Sequence, residues 1–164
     1  MTLEAINGMD RAAFVEALGW VFEHSPWVAE RAWAARPFAD LAELHQAMTA
    51  QVAAATLGEQ LALMRAHPDL GTRAKMSESS VGEQAGAGLD RLTREEFEGL
   101  QKWNAAYREK FGFPFLYAVK NSTKYDVLRA LEERLSGGRE EEGATALAQI
   151  YRIAQSRLED TVHA

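Results

Sequence analysis

Cysteine is missing altogether, and proline occurs only four times in 164 residues. Without a thiol there can be no disulfide, thiolate nucleophile or cysteine metal site, a usage that suits the cytoplasm. No stretch approaches the roughly 18 unbroken apolar residues of a membrane-spanning helix. No basic region followed by an apolar run opens the sequence, so neither membrane insertion nor export is expected. Positive charge is in short supply as well: 18 Lys and Arg stand against 24 Asp and Glu, for a net charge of −6. With no basic cluster interleaved with aromatics, nucleic acid and anionic membrane are poor partners. A small anion stays within reach of local cations or helix N-termini. No two histidines share a helix at a separation of three or four residues, so no metal is expected, and P-loop, GxSxG and dinucleotide fingerprints are absent.

What is present is helical periodicity. Phe14, Leu18, Val21 and Phe22, then Leu41, Leu44, Met48 and Val52, recur at helical spacing, and 47% hydrophobic residues suffice for a core. Asp10 suits an N-cap, and Ser25 before Pro26 fits a cap with proline in the first turn of a helix that Pro37 stops. Thr56 with Glu59, Ser80 with Glu83, and Thr93 with Glu96 have capping-box spacing. The helix after Thr93 carries Phe97, Leu100, Tyr107 and Phe111 and ends at Gly112 and Pro114. Leu116 to Val119 is an apolar run short enough to be extended. Val127, Leu128, Leu131 and Leu135 mark a further helix, closed by Gly137 and Gly138. Leu147, Ile150, Tyr151, Ala154, Leu158 and Val162 mark the last. No repeat or linker divides the sequence. The expectation is all-α: one compact domain over 1–164, a bundle of about seven or eight helices.

Four histidines occur, and His67 has the unusual setting. It follows Leu57, Leu61 and Met64, directly precedes Pro68, and so closes a helix and opens a long polar loop. A helix C-terminus favours imidazolium, which suits a proton donor near neutrality. The competing role is hydrogen bonding to free helix carbonyls, which position alone favours. His24 and His45 read as surface or rim residues, and His163 as frayed tail. Glu83 and Gln84 open the helix begun at Ser80, where outward N–H groups attract anions, although a capping box alone accounts for Glu83. Arg157 falls at the edge of the last helix's apolar face and needs a partner, either a protein carboxylate, the commoner case, or a substrate oxygen. Trp20, Trp27, Trp33 and Trp103 are expected in the core.

Five blocks carry a family likeness: EHSPWVAERAWAARPF (Glu23 to Phe38), LMRAHPDLGTR (Leu63 to Arg73), SVGEQAGAGLDRL (Ser80 to Leu92), NAAYREKFGFPFLYAVK (Asn104 to Lys120) and ALAQIYRIAQSRLEDTV (Ala146 to Val162). Nearly end to end, the sequence resembles the OHCU decarboxylase family, whose substrate is 2-oxo-4-hydroxy-4-carboxy-5-ureidoimidazoline. The resemblance implies a cofactor-independent helical homodimer acting on this small molecule and yielding S-allantoin in urate breakdown. It makes His67 the catalytic acid, with Glu83 beside it in catalysis. Pro68 would line the pocket, and the turn of Ser80, Val81, Gly82 and Gln84 would hold the substrate's polar edge. Leu116, Tyr117, Ala118, Val119 and Lys120 would form a wall for the planar ring, and Arg157 would contact an oxygen. Two departures stand out: a short loop between HPDLGTR and the EQ pair, and Asn121 with Ser122 where glycine and a charged residue are more usual. The alternatives are a catalytically silent binding or dimerisation module of the same fold and, against the charge balance, a nucleic-acid binder.

Overall fold

Helix starts show most directly how the local sequence acts. In the computed structural model, which describes residues 1–71 and 77–163, the side chains of Asp10 and Asp40 accept the N–H groups of Ala13 and Glu43, each at 2.8 Å. The boxes at Thr56 with Glu59 and Thr93 with Glu96 close reciprocally as expected. A further box, Thr123 with Asp126, opens the helix after the FPF segment; its shorter acid hides it from a search for Glu or Gln. Two expected caps do not form. Ser25 instead donates its hydroxyl to the Glu23 carbonyl at 2.8 Å, and the following helix has no side-chain cap. Ser80 yields to Ser77, whose Oγ accepts the Ser80 N–H at 3.1 Å, so that helix starts three residues earlier than the spacing predicts.

Among the described residues there are nine α-helices: α1 (Leu3–Asn7), α2 (Arg11–Leu18), α3 (Trp27–Ala32), α4 (Leu41–Ala53), α5 (Leu57–Ala66), α6 (Glu78–Gly86), α7 (Arg94–Phe111), α8 (Lys124–Leu135) and α9 (Arg139–Thr161). The fold is all-α, with more helices than the seven or eight expected, because the five residues of α1 are too few to show a period. No described helix is long and apolar enough to cross a membrane. The chain forms two compact units, Met1–Ala66 with Tyr151–Ala164, and His67–Ile150.

In the first unit, Phe14, Leu18, Phe22, Val28, Leu44, Met48 and Leu63 are buried with Ala154 and Leu158. The C-terminal end is tied down rather than frayed: His163 donates its N–H to the Met1 carbonyl and accepts from Leu3. The tryptophans expected in the core lie outside it. Trp20 is 38% exposed, and Trp27, Trp33 and, in the second unit, Trp103 are half-buried. An indole carries a donor that needs a partner and a face that attracts cations. Trp33 accordingly donates to the Met9 carbonyl between the guanidinium groups of Arg11 and Arg36, 4.9 and 4.2 Å from its ring centre.

In the second unit, α7 contributes Leu100, Tyr107 and Phe111, α8 Val127 and Leu131, and the start of α9 Ala146 and Ile150. The apolar period of each helix is thereby buried. Gly112 ends α7 in the left-handed region, at φ 81°. Beyond it Phe113 and Phe115 pack edge-on against Tyr107, with ring centres 6.0 and 5.4 Å away. Leu116 to Val119 is irregular backbone rather than a strand. It is held by side chains, not by a neighbouring strand.

Candidate active site

His67 directly follows the last residue of α5 and is 6% exposed. Pro68 disfavours helical backbone at His67, which helps to end the helix there. The loop it opens is pinned at successive residues. Asp69 pairs with Arg108 at 2.8 Å, the Leu70 carbonyl accepts from Asn104 Nδ2 at 2.9 Å, and the Gly71 N–H donates to Gln84 Oε1 at 2.8 Å. Gly71 has φ 72°, a conformation that favours glycine, and a Cβ there would drive into the tip of the Leu100 side chain. Thr72 and Arg73, which complete the LMRAHPDLGTR block, lie outside the described residues.

The cap at Ser77 changes how Glu83 reads. Glu83 lies inside α6, beyond reach of a capping box, so the structural explanation drawn from its spacing with Ser80 is removed. Its side chain is half-buried, while those of Ser80 and Gln84 are buried. Val81 donates its N–H to the Ser77 carbonyl at 3.0 Å and exposes its side chain; Gly82 is exposed with open space around it. The Gln84 carboxamide, expected at the substrate's polar edge, accepts the Gly71 N–H through its oxygen.

Leu116 to Lys120 is anchored from two helices. Arg134 Nη1 of α8 donates to the Leu116 carbonyl, and Gln149 Oε1 of α9 accepts the Ala118 N–H at 2.9 Å. The Val119 carbonyl accepts from Ser122, closing a turn in which Asn121 takes φ 63°. Asparagine tolerates that left-handed conformation better than most side chains, which explains how it stands where glycine is more usual. Arg134 also donates through Nε to Glu142 Oε1 at 2.7 Å, the oxygen that accepts the Tyr107 hydroxyl at 2.6 Å. Burial, and after it the Glu142 hydrogen bond, pushes the Tyr107 phenol well above its ordinary value, so it stays a donor.

In the first unit Arg157 is buried, with Nη2 3.6 Å from the equally buried carboxylate of Glu23. It donates to the carbonyls of Trp20 and Val21 at 3.2 and 3.3 Å. The commoner of the two partners open to this arginine is therefore present. Among the described residues no three His, Asp or Glu side chains cluster as a metal site would require.

The profile of OHCU decarboxylase matches residues 7–159 of this arrangement. The chain belongs to the OHCU decarboxylase family. A Haloferax volcanii relative named 2-oxo-4-hydroxy-4-carboxy-5-ureidoimidazoline decarboxylase is 46% identical over 96% of this chain and 94% of its own. A Bacillus subtilis uric acid degradation bifunctional protein is 47% identical over 98% of the chain, which spans 33% of that longer protein. Among solved structures, (S)-allantoin synthase superposes with a TM-score of 0.79 at 33% identity, over 99% of this chain and 54% of that one. OHCU decarboxylase crystallised with (S)-allantoin shares the fold at 22% identity and a TM-score of 0.69, over 82% and 89% of the two chains.

Within this family member, sequence reasoning passed over Glu23, Asn104, Arg134 and Glu142. The available signal was a polar residue in phase with an apolar stripe, as Asn104 is with Leu100, Tyr107 and Phe111, and Glu142 with Ala146 and Ile150.

Proposed function

We propose that this chain is a carboxy-lyase that converts 2-oxo-4-hydroxy-4-carboxy-5-ureidoimidazoline to (S)-allantoin and carbon dioxide without a cofactor. The observation that carries the reading is the near full-length match to decarboxylases of this name, with His67 buried at the head of a loop that three side chains hold in place.

The substrate supplies its own electron sink. The bond from ring carbon to carboxylate breaks, carbon dioxide leaves, and the electron pair passes into the adjacent C=N bond, whose nitrogen takes a proton. The enol so formed gains a proton at the neighbouring carbon and gives up its hydroxyl proton, leaving the carbonyl of allantoin. The protein has to hold the ring, set the carboxylate perpendicular to the conjugated plane, and deliver the carbon's proton from one face. His67, at the end of α5, is the donor. Glu83 hydrogen-bonds the hydroxyl or ureido group and favours charged His67. Pro68 and the α6 turn from Ser80 through Val81 and Gly82 to Gln84 line the substrate's polar edge. Leu116 to Lys120 backs the ring, and Arg157 steadies an oxygen, as the family pattern has it. On the same reading the enzyme is a cytoplasmic homodimer with no nucleic-acid or membrane partner.

The test follows the absorbance of freshly generated substrate with and without exhaustively chelated protein. Faster decay with protein is expected. Decay at the uncatalysed rate would favour the silent module, and loss on chelation restored by one metal would overturn the cofactor-free mechanism.

A further inference from the structure

The guanidinium of Arg134 meets four groups at once. It donates through Nε to Glu142, through Nη2 to the Tyr107 hydroxyl at 3.4 Å, and through Nη1 to the Leu116 carbonyl. Its carbon lies 4.6 Å from the centre of the Phe115 ring. The planar fork of arginine makes such contacts together, whereas a lysine ammonium acts as a point charge. Buried ion pairs are poor stability devices, since well-packed apolar residues of similar volume are often as good or better. The Arg134–Glu142 pair, half-buried at the arginine and buried at the carboxylate, is thus weakly explained by stability alone, which leaves room for a purpose beyond holding the fold.

Its direction supplies one. The group it fixes is the first carbonyl of the Leu116–Lys120 segment, and Gln149 fixes the amide two residues later. Between these anchors the N–H and C=O of Tyr117 take no hydrogen bond from the described residues. Each shares a planar peptide group with an anchored atom, the N–H with the Leu116 carbonyl and the C=O with the Ala118 N–H, so the two anchors fix their orientation.

We infer that Arg134, braced by Glu142 and Tyr107, is a positioning residue of the reaction: it sets the Leu116–Lys120 wall against which the planar intermediate lies, and so governs substrate binding and the face that is protonated. The inference rests on the wall assigned under the proposed function. Arg134 touches neither substrate nor reacting atoms in it.

Arg134→Lys keeps the charge beside Glu142 and loses the fork. With the substrate supplied fresh, KM should rise about tenfold, the size expected for one charge-assisted hydrogen bond. The enantiomeric excess of allantoin should fall while the melting temperature stays near wild type. Amide exchange over Leu116 to Val119 should quicken. Should that variant fold poorly, the near-isosteric Tyr107→Phe removes only the hydroxyl and should move KM and enantiomeric excess the same way, by less. A folded Arg134→Lys with wild-type KM and enantiomeric excess overturns the inference, as does activity that falls only with the folded fraction, or a Tyr107→Phe variant with neither value moved. A wild type that does not consume the substrate sinks the decarboxylase reading and this one with it; an active wild type beside an unchanged variant sinks only this one.

Discussion

Asn104 and Tyr107 stand one turn apart on α7, and each ties a different stretch of backbone to that helix. Asn104 holds the Leu70 carbonyl, in the loop that begins at His67. Tyr107 reaches the Leu116 carbonyl through Glu142 and Arg134. Arg108, the next residue, pairs with Asp69. The loop of His67 and the Leu116–Lys120 segment thus share one rigid reference, the kind of support the proposed catalytic constellation needs if it is to be held to fractions of an ångström.

Replacing His67 with Gln should lower the decarboxylation rate by about a hundredfold or more, the usual worth of a positioned general acid, with the melting temperature nearly unchanged. Steady-state rates and a thermal melt on the same preparation check this. Near-normal turnover would remove His67 from the role.

At α6, the cap and the residue proposed for catalysis differ and can be separated. Ser77→Ala should cost about 1 kcal/mol of stability and leave the turnover of the folded fraction close to wild type. Glu83→Gln, nearly isosteric, should leave the protein folded and collapse turnover. Denaturant titration and rates on both variants check the pair; the reverse pattern would return Glu83 to a structural role.

The buried pair of Glu23 and Arg157 gives a larger signal. Glu23→Leu alone strands a buried guanidinium and should cost about 3 kcal/mol or more, while Glu23→Leu with Arg157→Met should recover most of it. If Arg157 also serves the substrate, the double variant is stable and slow. A stable and fully active double variant would confine Arg157 to pairing with Glu23.

Backbone conformation offers a further check. Asn121→Gly should be tolerated, because glycine adopts φ 63° without strain. Gly71→Ala should cost about 1–3 kcal/mol and slow the chemistry, since the Cβ drives into Leu100 beside the loop of His67. Equal stability of Gly71→Ala and wild type would show that the loop can relax.

These residues also mark what a sequence can disclose. Stripes such as Leu44, Met48 and Val52, or Val127 and Leu131, announce buried helix faces because the helical period is local physics, whereas Phe22, in phase with Phe14 and Leu18, is buried but extended beyond the end of α2. The Ser80 box failed because Ser-x-x-Glu spacing recurs inside a helix whose start is set three residues earlier by Ser77. The helix end at His67 was legible from its place between an apolar stripe and Pro68. The partners of Asn104, Glu142 and Arg157 lie 34, 35 and 136 residues away along the chain. Such pairings belong to the tertiary fold, and spacing alone cannot reveal them.

Stereochemistry tests the proton donor directly. Free in water, the decarboxylated enol is open to protonation on both faces and should give racemic allantoin. Held with one face toward His67 and the other against the wall at Leu116–Lys120, it should give the S enantiomer alone. In deuterium oxide the new carbon–hydrogen bond should carry deuterium, because the exchangeable donor delivers it. Circular dichroism of the product, followed from fresh substrate with wild type, with His67→Gln and without protein, separates the cases. Optical activity should grow with wild type and stay near zero in the other two. A wild type that consumes the substrate quickly yet leaves a racemate would mean that the enol escapes before protonation, and His67 would then be no donor to carbon.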